Sequence, residues 1–255
     1  MLGAIAGDVI GSVYEEFPIK TKHFPLFGEY STFTDDTVLT VAVAHAILNN
    51  ENYGNTIKSF GQRYPDAGYG MSFYEWMFSP SMEPYNSWGN GSAMRVSSIG
   101  FLFDSVDSVL LEAKKSAEVT HNHPEGVKGA QATALAVYLA RTGASKDTIR
   151  SEMQKRFGYW MDRTLREIRP EYNFTVSCQG SVPEAIIAFL ESRDFESAIR
   201  NAISLGGDSD TMASIAGGIA QAFYGGVPDD IRQKVISCLP KEFEKVLYAF
   251  EDRIK

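Results

Sequence analysis

Apolar residues in this 255-residue chain recur at three- and four-residue intervals in about a dozen stretches, and alternating β-branched runs are almost absent. A doubly wound parallel sheet needs buried Val/Ile runs that are missing here. The pattern predicts an all-α fold, a compact orthogonal multi-helix bundle with its connecting loops gathered on one face. Helices are expected over 3–15, 36–49, 55–61, from Ser92 through Val96, 107–119, 125–141, 145–157, 181–191, 195–203, 210–224, 229–238 and 241–254, with loops over 19–32, 64–70 and 80–91. Residues 158–180 break the rhythm and read either as an ordered excursion over a site or as a surface elaboration. No internal repeat or low-complexity linker appears, and 44% hydrophobic content suffices for one core, so residues 1–255 are expected to form a single domain.

Two of these helices begin with more oxygen than a cap requires. Phe33-Thr34-Asp35-Asp36-Thr37 opens one, and Gly206-Gly207-Asp208-Ser209-Asp210-Thr211 opens another. A helix start offers unpaired N–H groups and a positive dipole end, which account for one acid, not two. Paired aspartates repel, and two such pairs in one fold are costly unless cations sit between them. Thr34, Asp35, Asp36, Asp208, Asp210 and Thr211 together supply hard oxygen shells for two divalent cations, Mg²⁺ or Mn²⁺. No cysteine or paired histidine accompanies them, which argues against zinc.

Gly3, Gly7 and Gly11 stand four apart and form a bare ridge on the first helix, suited to close helix approach. That helix ends in Glu15-Glu16, acids at the wrong end of a helix dipole, so one of them is expected to face the cations. Tyr69-Gly70 and the loop Ser87-Trp88-Gly89-Asn90 combine flexible glycines with aromatics, as phosphate and base contacts require. Arg95 reads as a phosphate contact or as a structural ion-pair partner. His121 and His123 lack a third metal ligand and suit hydrogen bonding at a ligand rim instead.

A net charge of −8 and a pI near 5.1 speak against a broad nucleic-acid surface or an anionic membrane partner. Two cysteines, Cys178 and Cys238, fit free thiols in a reducing compartment. The first residues lack a basic segment, and no apolar run spans a bilayer. A soluble, cytoplasmic and monomeric protein is expected.

Taken in order, Gly7-Asp8 through Glu15, Thr34-Asp35-Asp36, Gly89-Asn90-Gly91 with Ala93-Met94-Arg95, Thr120-His121 and Gly206 to Thr211 resemble the ADP-ribosylglycohydrolase family. The resemblance implies an all-helical hydrolase that releases ADP-ribose from a modified protein or a small ADP-ribosyl substrate. It implies that Thr34, Asp35, Asp36, Asp208, Asp210 and Thr211 bind the two ions, that Asp35 and Asp210 are catalytically essential, and that Glu15 is the glutamate of the reaction, with Glu16 in reserve. It further implies that Tyr69, Gly70, Ser87, Trp88, Gly89, Asn90 and His121 hold ADP-ribose. Residues 158–180 carry no matching motif and bear on the leaving group.

Three other readings follow from the same residues. Asp208-Ser209-Asp210-Thr211 superficially suits an aspartate-based phosphatase, but helix-like sequence precedes it where that chemistry needs a buried strand. A non-catalytic ADP-ribose binder would not need intact acids. An enzyme of this fold acting on a small N-glycoside or an ADP-ribosylated nucleotide is compatible with the motifs.

Overall fold

Glycine spacing decides how the first and thirteenth helices meet. In a computed structural model describing residues 1–255, α1 (Leu2–Glu16) lies against α13 (Ser209–Tyr224) with Gly3, Gly7 and Gly11 at the contact. A methyl group at Gly11 would sit 2.5 Å from Asp210 Cα, and one at Gly7 would strike the Ala213 backbone. The predicted ridge therefore brings two main chains into contact, closer than side chains permit.

The remaining helices surround this pair. α2 (Asp35–Asn49) begins where Thr34 Oγ1 accepts from Asp36 N and ends at Asn50, in a left-handed conformation with φ 55°. α3 (Tyr53–Arg63) and α4 (Met71–Phe78) follow, then α5 (Gly91–Met94), α6 (Ser97–Leu102), α7 (Val106–Glu118) and α8 (Pro124–Arg141). Pro124 occupies the first turn of α8, where a missing N–H costs nothing. The chain continues through α9 (Lys146–Phe157), α10 (Leu165–Ile168), α11 (Cys178–Leu190) and α12 (Phe195–Ile203), and closes after α13 with α14 (Asp229–Ser237) and α15 (Lys241–Arg253). No strand forms; one isolated antiparallel bridge joins Gly89 to Ser177. The fold is all-α, as the periodicity predicts. No helix is long and apolar enough to cross a membrane.

Four local features differ from the sequence-based expectation. α4 lies in a stretch for which no helix is expected, because exposed Met71, Tyr74 and Phe78 surround the buried Phe73, Trp76 and Met77 and blur the helical period over only eight residues. The helix expected to start at Ser92 is two short ones, broken at Arg95-Val96. α11 starts at Cys178 instead of 181, capped by Ser177 Oγ on Gly180 N, so that Pro183 lies inside it. Within 158–180, α10 forms behind a capping box between Thr164 and Glu167, and the segment after it docks on the 87–90 loop.

The helices share one connected cluster of 65 buried apolar residues. α8 packs on α5, α6, α7, α11 and α13, and so joins both halves of the chain. The starts of α2, α5 and α13, the end of α1 and the loops around Gly70 and Ser87 then open onto one cleft.

Candidate active site

The cleft has a volume of about 350 Å³. Its lining includes Glu15, Asp35, Asp36, Asp208, Asp210 and Thr211, and alongside them Ser87, Gly89, Asn90, Gly91, Arg95 and His121. The two acid-rich helix starts, 175 residues apart in sequence, touch directly. Thr211 Oγ1 donates to Asp36 Oδ2 at 3.0 Å, and Thr34 Oγ1 lies 3.4 Å from Asp210 Oδ2. Carboxylate oxygens of Glu15, Asp208 and Asp210 lie within 4.8 Å of one another. Glu15 is the acid at the end of α1 that enters the cleft, while Glu16 is exposed.

These acids are not caps. Asp208 occupies the residue before α13 yet makes no capping bond; its Oδ2 accepts from Asn90 Nδ2 at 2.8 Å. Asp36 Oδ1 is buried with no hydrogen-bond partner. No lysine or arginine forms an ion pair with any acid of the group. Burial, followed by the neighbouring Asp210 charge, pushes Asp35, Asp36 and Asp208 well above the usual carboxylate range and raises Glu15 to about 7. Crowded, desolvated carboxylates with an orphaned oxygen are a donor set that hard divalent cations fit.

Asp8 supports this end from behind and is absent from the sequence-based site. It is fully buried in α1, and its carboxylate accepts from the N–H groups of Thr34 and Thr37, both at 3.0 Å, and from both threonine hydroxyls. It thereby fixes the turn that presents Asp35 and Asp36. Burial, then Asp210, raises its carboxyl to about 7 despite those donors. A lone acid in the otherwise apolar Leu2–Gly11 run was the signal available.

In the loop beside the acids, Asn90 N donates to Val176 O at 2.8 Å and Cys178 N to Trp88 O at 3.0 Å, so the 158–180 excursion clamps the 87–90 loop. Cys178 Sγ is buried against Gly89 O, and burial pushes its thiol up to about 12. Three residues of the expected set stand off the cleft wall. Thr34 is held between Asp8 and Asp210, Trp88 is 48% exposed at the rim, and Tyr69 stacks on Phe73 at 5.0 Å. Gly70 does line the cleft, as do Tyr85 and Val176, which the sequence-based site lacks. Arg95 lines the cleft but is not the ion-pair partner that was one expectation for it. It is fully buried without a carboxylate partner and donates to Ser116 O at 2.7 Å and Thr120 Oγ1 at 3.0 Å.

Comparison with known proteins agrees with this geometry. Residues 1–253 match the family model described as ADP-ribosylglycohydrolase. The chain is 30% identical to ADP-ribosylhydrolase ARH3 of Xenopus tropicalis over 88% of its own length and 86% of that protein's. It is 29% identical to human ADP-ribosylhydrolase ARH3, with 88% and 84% covered. It is 25% identical to ADP-ribosylarginine hydrolase Tri1 of Pseudomonas putida, with 92% and 72% covered. A solved structure titled ADP-ribosylglycohydrolase-related protein complex superposes with a TM-score of 0.75 at 24% identity, over 100% of this chain and 97% of that one. An all-helical chain matched along nearly its whole length, with its acids gathered in one cleft, belongs to the ADP-ribosylglycohydrolase family and is a hydrolase of glycosidic bonds.

Proposed function

We propose that this protein hydrolyses the bond between the anomeric carbon of an ADP-ribose ribose and an acceptor atom of a modified protein or small ADP-ribosyl substrate. The observation that carries the reading is a single cleft lined both by the clustered carboxylates and by a carboxylate-free stretch, the Ser87–Gly91 loop with His121. The sugar undergoing cleavage suits the carboxylates and the diphosphate the loop.

Thr34, Asp35, Asp36, Asp208, Asp210 and Thr211 would hold two divalent cations, Mg²⁺ or Mn²⁺. When bound, such ions supply Lewis-acid stabilisation of charge on oxygen. The chain's own groups do the rest. Cleavage builds positive charge at the anomeric carbon, which the surrounding carboxylates stabilise. Glu15, with a carboxyl near 7 and at the mouth of the acid group, is placed to take a proton from the attacking water and return one to the leaving atom. The products are ADP-ribose, carrying the new hydroxyl, and the protonated acceptor. Main-chain groups of Gly89 to Gly91, with Ser87 and His121, orient the nucleotide so that the ribose reaches the acids.

The continuous core supports one domain over residues 1–255, and the free thiols of Cys178 and Cys238 support a reducing, cytoplasmic setting. The test is a substrate panel. With Mg²⁺ or Mn²⁺ present, the wild-type chain should release free ADP-ribose from at least one of arginine-linked, serine-linked and nucleotide-linked substrates. Asp36→Asn should reduce turnover at least a hundredfold while leaving the helical circular dichroism intact, as loss of one group essential to the reacting centre does. Full turnover by wild-type protein in excess chelator would refute the cation role.

A further inference from the structure

Arg95 is the largest fully buried side chain in the molecule and has no counter-ion. An unpaired buried guanidinium costs several kcal/mol, so its position calls for a compensating role. Its Nε and Nη1 have no protein partner, while Nη2 donates to Ser116 O and to Thr120 Oγ1. Arginine can only donate, so the threonine oxygen must accept from it. Thr120 Oγ1 in turn lies 2.7 Å from His121 Nδ1. The threonine has one hydrogen, and with a lone pair committed to Arg95 that hydrogen is free to point at Nδ1. The neighbouring Tyr85 has its ring centroid 5.9 Å from that of His121.

His121 is only 5% exposed, and its Nε2 faces the ligand loop: a Cβ at Gly91 would be 3.2 Å from it. We propose that Arg95 and Thr120 are positioning residues that hold His121 in the neutral tautomer protonated on Nε2, so that this N–H is a fixed donor to the diphosphate of the ligand. The proposal rests on the ADP-ribose reading of the cleft for the identity of the ligand, but the relay itself does not. Burial, reinforced by the Arg95 charge, holds the His121 ring well below the usual histidine range, consistent with a ring that stays neutral. The buried guanidinium, in the wall of the same cleft, also contributes positive potential that favours an anionic ligand.

The experiment reads the ring directly. Long-range ¹H–¹⁵N correlation spectra of the full, metal-free chain, with His121 assigned from His121→Gln, should show a proton on Nε2 and none on Nδ1. Thr120→Val, close in shape but without the hydroxyl, should yield a tautomer mixture and weaken ADP-ribose binding in the presence of Mg²⁺ by roughly fivefold to tenfold, the effect of one hydrogen bond. Thr120→Ser should restore both. A wild-type ring protonated on Nδ1, or a valine variant with unchanged spectrum and affinity, would overturn the relay. Absence of ADP-ribose binding by the wild-type chain would overturn the ligand reading instead, and the ring spectrum needs no ligand to decide the rest. Arg95→Lys, which keeps the charge but not the fork, should resemble the valine variant if it folds.

Discussion

Replacing Gly11 by alanine tests whether the approach of α1 to α13 sets the geometry of the acids. The added methyl would lie 2.5 Å from Asp210 Cα and 2.7 Å from both Asp210 N and Ser209 O, all main-chain atoms that no rotamer change can move. Ordinary carbon contacts lie about 1 Å farther out, at roughly 3.5–4 Å, so the helices must part by about that much where Asp210 enters the cleft. Overpacking of this kind costs about 1–3 kcal/mol, and alanine recovers about 1 kcal/mol in helix propensity. A net loss of roughly 0–2 kcal/mol lowers Tm by at most about 8 °C in a chain of this size. Turnover should fall further than stability, by about a hundredfold, because a 1 Å displacement of a catalytic group is costly. Calorimetry and an ADP-ribose release assay on the same preparation measure both. Gly28→Ala is the control: nothing lies within 4 Å of its added methyl, and stability should change by less than about 0.5 kcal/mol. Wild-type Tm and turnover in Gly11→Ala would refute the claim that the ridge positions Asp210.

Two further outcomes are expected. Asp8 and Glu15 have folded-state values raised to about 7, so the folded chain binds protons that the unfolded chain has already lost. In chelator, stability should therefore be highest below pH 4 as far as these groups are concerned, and this contribution should decline as pH rises through 7; Tm scans across that range with and without Mg²⁺ should show the decline only in chelator. Asp8→Asn replaces an acceptor-only group by one that turns an NH₂ toward donors from Thr34 and Thr37, and should destabilise the chain by about 1–3 kcal/mol in urea unfolding, with weaker cation binding by calorimetry.

Much of this molecule was legible because helical periodicity is a local signal. The starts of α2, α8 and α13 carry their cues in adjacent residues, and the acid pairs stood out because a cap needs one oxygen, not four. The meeting of Asp36 with Thr211 was inferred from charge, since neither pair is tolerable alone. What escaped had no local signature. α4 exposes Met71, Tyr74 and Phe78 beside its buried residues, which hides its period, and the break at Arg95 follows from partners in α7 and in the turn just after it, at Ser116 and Thr120. Asp8 looked like a stray acid in a packing helix until Thr34 and Thr37 came to lie against it. Tyr69 was named through the family resemblance, in a loop read from its glycines, but which way its ring turns depends on Phe73, in a helix the pattern did not announce.

The 87–90 loop is tied to the 158–180 excursion by peptide groups: Asn90 to Val176, Trp88 to Cys178, and the bridge from Gly89 to Ser177. Val176, about half exposed beside the cleft, contributes its backbone to this seam and leaves its side chain uncommitted. Sequence there can drift without loosening this wall of the cleft. That makes it the natural place to retune which acceptors are admitted, by exchanging side chains over a scaffold that does not register the change.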